Sequence, residues 1–289
     1  MTYGIGKQYE KDDRFKAAAR LHQSRYRCDV LNVDYDEYGN RLTDEDAISL
    51  MNYYEGLNVR TELRKRYPSY SKSRDADMLR SEHIPFNMLA PLKDNPDLAQ
   101  RVIELAFGIE SQPPYDIKFE WAPAPKENYL DDLTAFDTYI QFSDKRHRVV
   151  GIGIEVKNTE HGYRIGKTEA ARVEDKSSKY WTVTRKSGLF RNDENAMFGD
   201  DDMRQIWRNY LLGLAMCQRG DISDFISIIL YPEGNKHFGV AIPKYQQLMK
   251  EAYCLQVRGC TFEQYVDSIS GGAEVLTWKA YLSERYLVD

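Results

Sequence analysis

The sequence predicts an α/β protein built on a mixed β-sheet flanked by helices, with a helical N-terminal arm and a helical C-terminal tail. Three observations lead there. In Gly151-Ile152-Gly153-Ile154-Glu155-Val156-Lys157 apolar and non-apolar residues alternate, the period of a strand with two unlike faces. Leu133 to Phe142 is a second apolar-rich segment, joined to the first by the polar Ser143-Asp144-Lys145-Arg146-His147-Arg148, short enough for a hairpin. Phe225-Ile226-Ser227-Ile228-Ile229-Leu230-Tyr231 is nearly continuous apolar sequence, as expected for a strand covered on both faces.

Residues 9–29 read as a charged amphipathic helix with Phe15, Ala18, Leu21 and Tyr26 roughly on one side. Tyr38-Gly39-Asn40 marks a turn, and a second helix spans about 44–54. These elements form an arm, residues 1–75, closed by the Ser/Tyr-rich link Pro68 to Arg74. A core domain follows over 76–289. Helical segments run from about 76 to 107, broken near the prolines and ended by Pro113-Pro114. Strands are expected at 116–122, 134–142, 148–157, 223–231 and 236–241, with a helix at 201–218 before the fourth. An insertion at about 160–199 precedes that helix. The tail from Pro243 is mainly helical, with a break at Gly271-Gly272.

With 289 residues, 42% hydrophobic and 29% charged, the chain falls among soluble globular proteins with a substantial core. No run approaches the ~18 apolar residues of a membrane span, and the polar start lacks an apolar signal core. A cytoplasmic protein with no membrane partner is expected. Cys28, Cys217, Cys254 and Cys260 show no paired spacing, and no histidines stand at zinc-ligand intervals, so reduced thiols are expected and zinc chemistry is not.

Ala135-Phe136-Asp137-Thr138 followed by Glu155-Val156-Lys157 is the most informative pattern. It places one acid on a strand and an acid and a base on one face of the next. Mg²⁺ is a hard cation that takes oxygen ligands and often needs only one or two carboxylates. Asp137 and Glu155 suit that role, with the Val156 carbonyl adding an oxygen. Lys157 suits orienting a metal-bound water or offsetting transition-state charge. A lone E-x-K tripeptide is ordinarily a solvated strand edge. The preceding acid strand and the short turn lift this one above that reading.

On these residues the chain resembles the PD-(D/E)XK nuclease superfamily, with Phe136 standing where the name-giving proline often sits. Ser81 to Leu92 and Gln205 to Leu212 resemble a restriction-endonuclease-like branch, so that the likeness spans roughly residues 76–240. The resemblance implies a Mg²⁺-dependent nuclease, with Mn²⁺ able to substitute, acting on DNA. It implies that Glu82 completes the metal shell and that Gln205 and Arg208, three apart on a helix, are secondary phosphate contacts. An exposed helix residue is the plain alternative for Glu82, a structural ion pair for Arg208, and a hydrogen-bonded core residue for His83.

The net charge of −5 does not oppose this, because only the binding groove must be basic. From Lys157 to Arg191 nine basic residues face four acidic ones, a local excess of five positive charges. Lys179, Arg185 and Lys186 are the expected nucleic-acid contacts in this stretch, which also carries Tyr163, Arg164, Tyr180 and Trp181 as potential stacking or phosphate groups. A solvated insertion is the competing account. Arg60, Arg64, Lys65, Arg66, Lys72, Arg74 and Arg80 form a second basic cluster that would line the other wall. DNA is the expected partner, and the sequence leaves the oligomeric state open, a homodimer included.

Two other classes remain. One is a catalytically idle nuclease fold that only binds nucleic acid. The other is a phosphate-loop NTPase using Gly162 to Thr168, whose glycines enclose three residues where the loop needs four. Gly4-Ile5-Gly6 and Gly151-Ile152-Gly153 lack the third glycine of a dinucleotide fingerprint.

Overall fold

The computed structural model describes residues 3–162 and 165–288. The arm begins with α1 (Arg14–Arg25), whose N-terminus is capped by Asp13 accepting from the Lys16 amide at 2.9 Å. A π turn, Tyr26–Leu31, continues it, and α2 (Asp44–Ile48) is capped by Thr43. α2 is shorter than the helix expected at 44–54, and α3 (Val59–Arg66) lies in sequence given no element of its own. The arm docks on the far end of the chain, with Gln23 donating to the Arg285 carbonyl at 2.7 Å and Arg285 to Asn52 Oδ1 at 2.5 Å. Arm and core are thus stitched together.

A 3₁₀ turn at Ser81–His83 leads into α4 (Ile84–Leu89), and Asn95 caps α5 (Pro96–Leu105). Next come β1 (Asp116–Trp121), β2 (Phe136–Ser143) and β3 (Val149–Val156), paired antiparallel in that order. The insertion carries α6 (Lys167–Glu174) and α7 (Lys179–Ser187) and is followed by α8 (Asp201–Arg219). β4 (Asp224–Tyr231) then lies parallel to β3. A crossover connection is what a parallel pair requires, and α8 supplies it.

The expected strand at 236–241 is a helix. It opens α9 (Lys236–Leu248), because buried Phe238, Ala241, Ile242 and Tyr245 recur at helical spacing and the Val240-Ala241-Ile242 run does not alternate. The fifth strand is instead β5 (Val257–Thr261), parallel to β4, and α10 (Phe262–Ser268) and α11 (Ala273–Tyr286) close the chain. The sheet order is β1-β2-β3-β4-β5.

Helices cover both faces. Ile152, Ile154, Val156, Ile226, Ile228 and Leu230 belong to one core with residues of α4, α5, α10 and α11. Tyr139, Phe225, Ile229 and Tyr231 belong to the other, with α7, α8 and α9. Residues i and i+2 of a strand share a face, so the two sets are the two sides of one sheet. On the α8 side β3 carries only Gly151 and Gly153 between Val149 and its acid. A Cβ at Gly153 would meet the rings of Phe136 and Phe225 at 2.6 and 2.7 Å, and one at Gly213 of α8 would meet Phe225 at 2.0 Å. These glycines let rings fill the space between sheet and helix. All four cysteines are free thiols, and among the described residues no helix is long and apolar enough to cross a membrane.

Candidate active site

The antiparallel register pairs Thr138 with Ile154, which sets Asp137 across from Glu155. Phe119 pairs with Thr138 and Trp121 with Phe136, which brackets Glu120 across from Asp137. Asp137 and Glu155 lie opposite one another on β2 and β3, and Glu120 of β1 is near enough for its charge to bear on Asp137 and to feel that of Glu155, so the three form a row of neighbouring acids across β1, β2 and β3. Glu120 holds a left-handed backbone at φ 46°, uncommon for a non-glycine residue, and its carbonyl accepts from Arg66 at 3.2 and 3.3 Å. Asp137 Oδ2 accepts the Val156 amide at 2.6 Å. That bond ties the first acid to the residue between the second acid and the lysine.

Glu155 is held on every side. Its Oε1 accepts from Lys157 Nζ at 2.6 Å and from Gln205 Nε2, and its Oε2 accepts from Asn209 Nδ2 at 2.6 Å. Gln205 and Asn209 are four apart on α8 and reach the same carboxylate from successive turns. Both oxygens of Glu155 are therefore oriented, and both Glu155 and Lys157 are buried.

The acids outnumber the cations beside them, Lys157 for Asp137 and Glu155 and Arg66 for Glu120. Burial, then the charges of Glu155 and Glu120, raise Asp137 well above the ordinary carboxylate range. Burial and then Glu155 raise Glu120 to about 7, with Glu82 adding in the same sense. Burial pulls Lys157 down, but the Glu155 and Asp137 carboxylates more than offset it and leave the ammonium raised. Charged lysine and mutually repelling carboxylates result.

The other expected residues are placed unevenly. Glu82 sits in the 3₁₀ turn before α4, where its Oε1 accepts from Arg80 at 3.1 Å and its Oε2 is enclosed without a hydrogen bond. His83 is fully buried and held neutral by that burial, edge-on to Tyr53, which makes it a core residue, although its ring nitrogens find no hydrogen-bond partner. Arg208 does not follow Gln205 into the acid row. Three helical residues turn the side chain about 60° away, whereas four bring Asn209 back to within about 40°. Arg208 instead donates to Thr134 at 2.8 Å and pairs with Glu169 at 3.1 Å and Asp132 at 3.6 Å, the structural ion pair.

Nor does the basic insertion bring its expected contacts to the acids. Lys179 donates to the Glu127 carbonyl and Arg185 to the Lys176 carbonyl at 2.9 Å, and Lys186 lines a cavity with Gln218 and Asp224, at the opposite end of β4. The register pairs Asp224 with Val150 and Ile229 with Glu155, five residues or about 17 Å apart along the strand. Tyr180 and Trp181 are core residues, packed on Trp207, and cannot stack on a base. Tyr163 and Arg164 lie outside the described residues, and with them part of the phosphate-loop candidate; its Lys167 and Thr168 open α6, well beyond the end of β3. Of the second basic cluster, Arg66 and Arg80 border the acids, while Arg74 pairs with Asp75, Lys72 with Asp36 and Lys65 with Glu62.

Among the described residues no three acid, histidine or cysteine side chains form a ready-made chelate. The donor set nevertheless fits a hard divalent ion, which needs few protein carboxylates and would relieve the repulsion that adds to burial in raising Asp137 and Glu120. Sequence reasoning passed over two residues here. Asn209 had a signal, its four-residue spacing from Gln205. Glu120 had only its place on the polar side of Ile117 and Phe119, and its partners lie on other strands.

The sequence profile of the PD-(D/E)XK nuclease superfamily matches residues 10–288, nearly the whole chain and including most of the arm, and the protein belongs to that superfamily. The mixed five-stranded sheet between helices is consistent with its restriction-endonuclease-like fold. No curated protein and no solved structure matches the chain.

Proposed function

We propose that this member of the superfamily is a Mg²⁺-dependent deoxyribonuclease whose site is the row Glu120, Asp137 and Glu155 with Lys157, bordered by Glu82. The observation that carries this reading is the alignment of Asp137 opposite Glu155, with Lys157 bonded to Glu155 at 2.6 Å. Asp137, Glu155 and the Val156 carbonyl would hold the ion, with Glu82 from the facing turn. The ion supplies positive charge against the phosphate oxygens and lowers the pKa of bound water.

The chain's own groups do the rest. Lys157 keeps an ammonium beside the Glu155 carboxylate, where it orients the attacking water and offsets charge on the phosphate. Gln205 and Asn209 fix the Glu155 carboxylate, so that its oxygens need no reorganisation during reaction. Arg66 and Arg80 supply cationic rim to a strand approaching from the α3 side. The proposed reaction is hydrolysis: water oxygen bonds to phosphorus, one P–O ester bond breaks, and the leaving oxygen takes a proton.

The test is purified protein on linear, circular and single-stranded DNA and on RNA, with and without Mg²⁺ or Mn²⁺, beside Asp137→Ala. Metal-dependent cutting of DNA that Asp137→Ala loses supports the reading. Nucleic-acid binding with no cleavage at any metal concentration replaces it with a binding module.

A further inference from the structure

We propose that the cavity between the N-terminal arm and the end of β3 binds a nucleotide phosphate of the strand being cut. This rests on the nuclease reading and extends that site by one subsite. The cavity measures about 270 Å³, room for roughly one nucleotide and far too little for a duplex. Glu160 and Thr159 form its inner wall. Glu160 follows Lys157 by three residues, at most about 10 Å of chain, or roughly three steps of ~3.4 Å along a nucleic-acid strand. Arg80, which pairs with Glu82, lies on the same wall.

The arm supplies Lys16, Arg20 and Arg41, so four cations face three acids, Asp12, Asp77 and Glu160. The acids are already engaged. Asp12 is covered by Arg20 at 2.5 Å, Asp77 Oδ1 accepts from Asn40 at 2.8 Å and from the Leu79 amide at 3.1 Å, and Glu160 accepts the Ser81 and Asn158 amides at 3.2 and 2.9 Å. The cations are engaged unevenly. Arg20 is held by Asp12 and Asn40, Arg80 by Glu82, and Arg41 by Glu37 with Asp77 at 3.6 Å from its Nε, whereas Lys16 comes no nearer than 4.0 Å to Asp12 and is 39% exposed. A net positive lining whose loosest charge is one exposed ammonium favours an anion rich in oxygen, with Lys16 as its first contact. Tyr9, 42% exposed and edge-on to Tyr38 at 5.8 Å, adds an aromatic surface for a sugar or base. Arg20 is fixed over Tyr38, its centre 5.4 Å from the ring, and braces this wall.

The phosphate has two possible sources, a strand's 5′ end and its interior. The experiment uses the full chain carrying Asp137→Ala, so that nothing is cut, in Mg²⁺. Its probes are a short single strand bearing a 5′-phosphate, the same strand with a 5′-hydroxyl, and deoxyadenosine monophosphate. Adding Lys16→Glu is expected to weaken binding of a phosphate-bearing probe about 10-fold, the effect of losing one charge-assisted contact. It should also flatten the salt dependence by about 0.7 in log–log slope. Tyr9→Ala should weaken binding less, and neither change should lower the melting temperature.

Loss confined to the 5′-phosphorylated strand and the mononucleotide assigns the site to a strand terminus; equal loss for both strands assigns it to the interior. Binding unchanged in both variants, or no binding of any probe, overturns the proposal. Wild-type cleavage is measured separately. Cutting together with unchanged binding in the variants removes the subsite and keeps the nuclease, while arm-dependent binding without cutting keeps the phosphate site and removes the nuclease.

Discussion

Helix α8 presents two pairs of side chains four residues apart, and they serve two opposite kinds of acid cluster. Arg204 and Arg208 reach Glu169 at 3.2 and 3.1 Å, and Arg208 also reaches toward Asp132. Asp132 receives the Tyr180 hydroxyl at 2.5 Å and the Thr134 hydroxyl at 2.7 Å; burial alone would raise its carboxyl, but these donors and Arg208 hold it below the usual range. One residue further round, Gln205 and Asn209 give the Glu155 carboxylate neutral amides. Hydrogen bonds from amides orient a carboxylate without cancelling its charge. Asp137 and Glu155 therefore share Lys157, Glu120 has only the Arg66 cation among the described residues, and burial followed by mutual repulsion drives Asp137 and Glu120 up in pKa. The first cluster is balanced and ties α6 to α8; the second is left wanting a cation.

The sharpest break in this contrast is Lys157→Ala. It should cut cleavage by roughly 10²- to 10⁴-fold, the range for a positioned proton-transfer group, while leaving DNA binding largely intact. Single-turnover cleavage beside a binding isotherm reads both. Wild-type-like cleavage in this variant would place the chemistry elsewhere.

The next effect is on pH. Glu120 rises from 4.5 to about 7, above its value in the unfolded chain, so its contribution to stability is full below about 4.5 and is lost as pH rises through about 7. In chelator, melting temperature should fall between pH 5 and 8 by the equivalent of at most about 3 kcal/mol. Glu120→Gln should flatten that fall, and Mg²⁺ should oppose it in the wild type. A slope unchanged in the variant would remove Glu120 from the row.

Arg208→Met tests the balanced cluster. It leaves buried Asp132 and half-buried Glu169 short of a partner, at a cost of about 1–3 kcal/mol by denaturant unfolding, and cleavage by the folded fraction should hold. Asn209→Ala should do the reverse, losing about 10-fold in cleavage or metal affinity with little change in stability. Equal effects of the two substitutions on activity would erase the distinction. Reversing charge at Arg185 and Lys186 should matter least, leaving cleavage of a short duplex unchanged in a standard rate assay.

What the sequence makes legible follows from how local each feature is. Asp137, Glu155 and Lys157 meet through one hairpin and one alternation, both visible in a short window. Buried β4 is legible because both its faces are apolar. Glu120 enters from a third strand through a left-handed residue, which nothing in Asp116 to Trp121 announces. The aromatics at Tyr180 and Trp181 sit among lysines and look like surface, yet the helical period that also buries Val183 and Thr184 turns them inward. Arg208 misleads for a similar reason: the angle between positions three and four apart on a helix decides which cluster a side chain joins. The 236–241 segment fails because a short apolar run suits either element.

The glycines of β3 bear on how this catalytic strand can vary. On its inner side Ile152, Ile154 and Val156 sit in a core where one aliphatic residue can replace another at modest cost. On the other, Gly151 and Gly153 have neighbours, Tyr139 among them, within 2.8 Å of where any Cβ would stand, so even alanine must displace a ring or a hydroxyl. A saturation scan of this strand should therefore show a two-residue beat, tolerant and intolerant positions in alternation, that begins well before the acid. The intolerant beats report ring packing rather than chemistry, and loss of function at a glycine here would be loss of the fold.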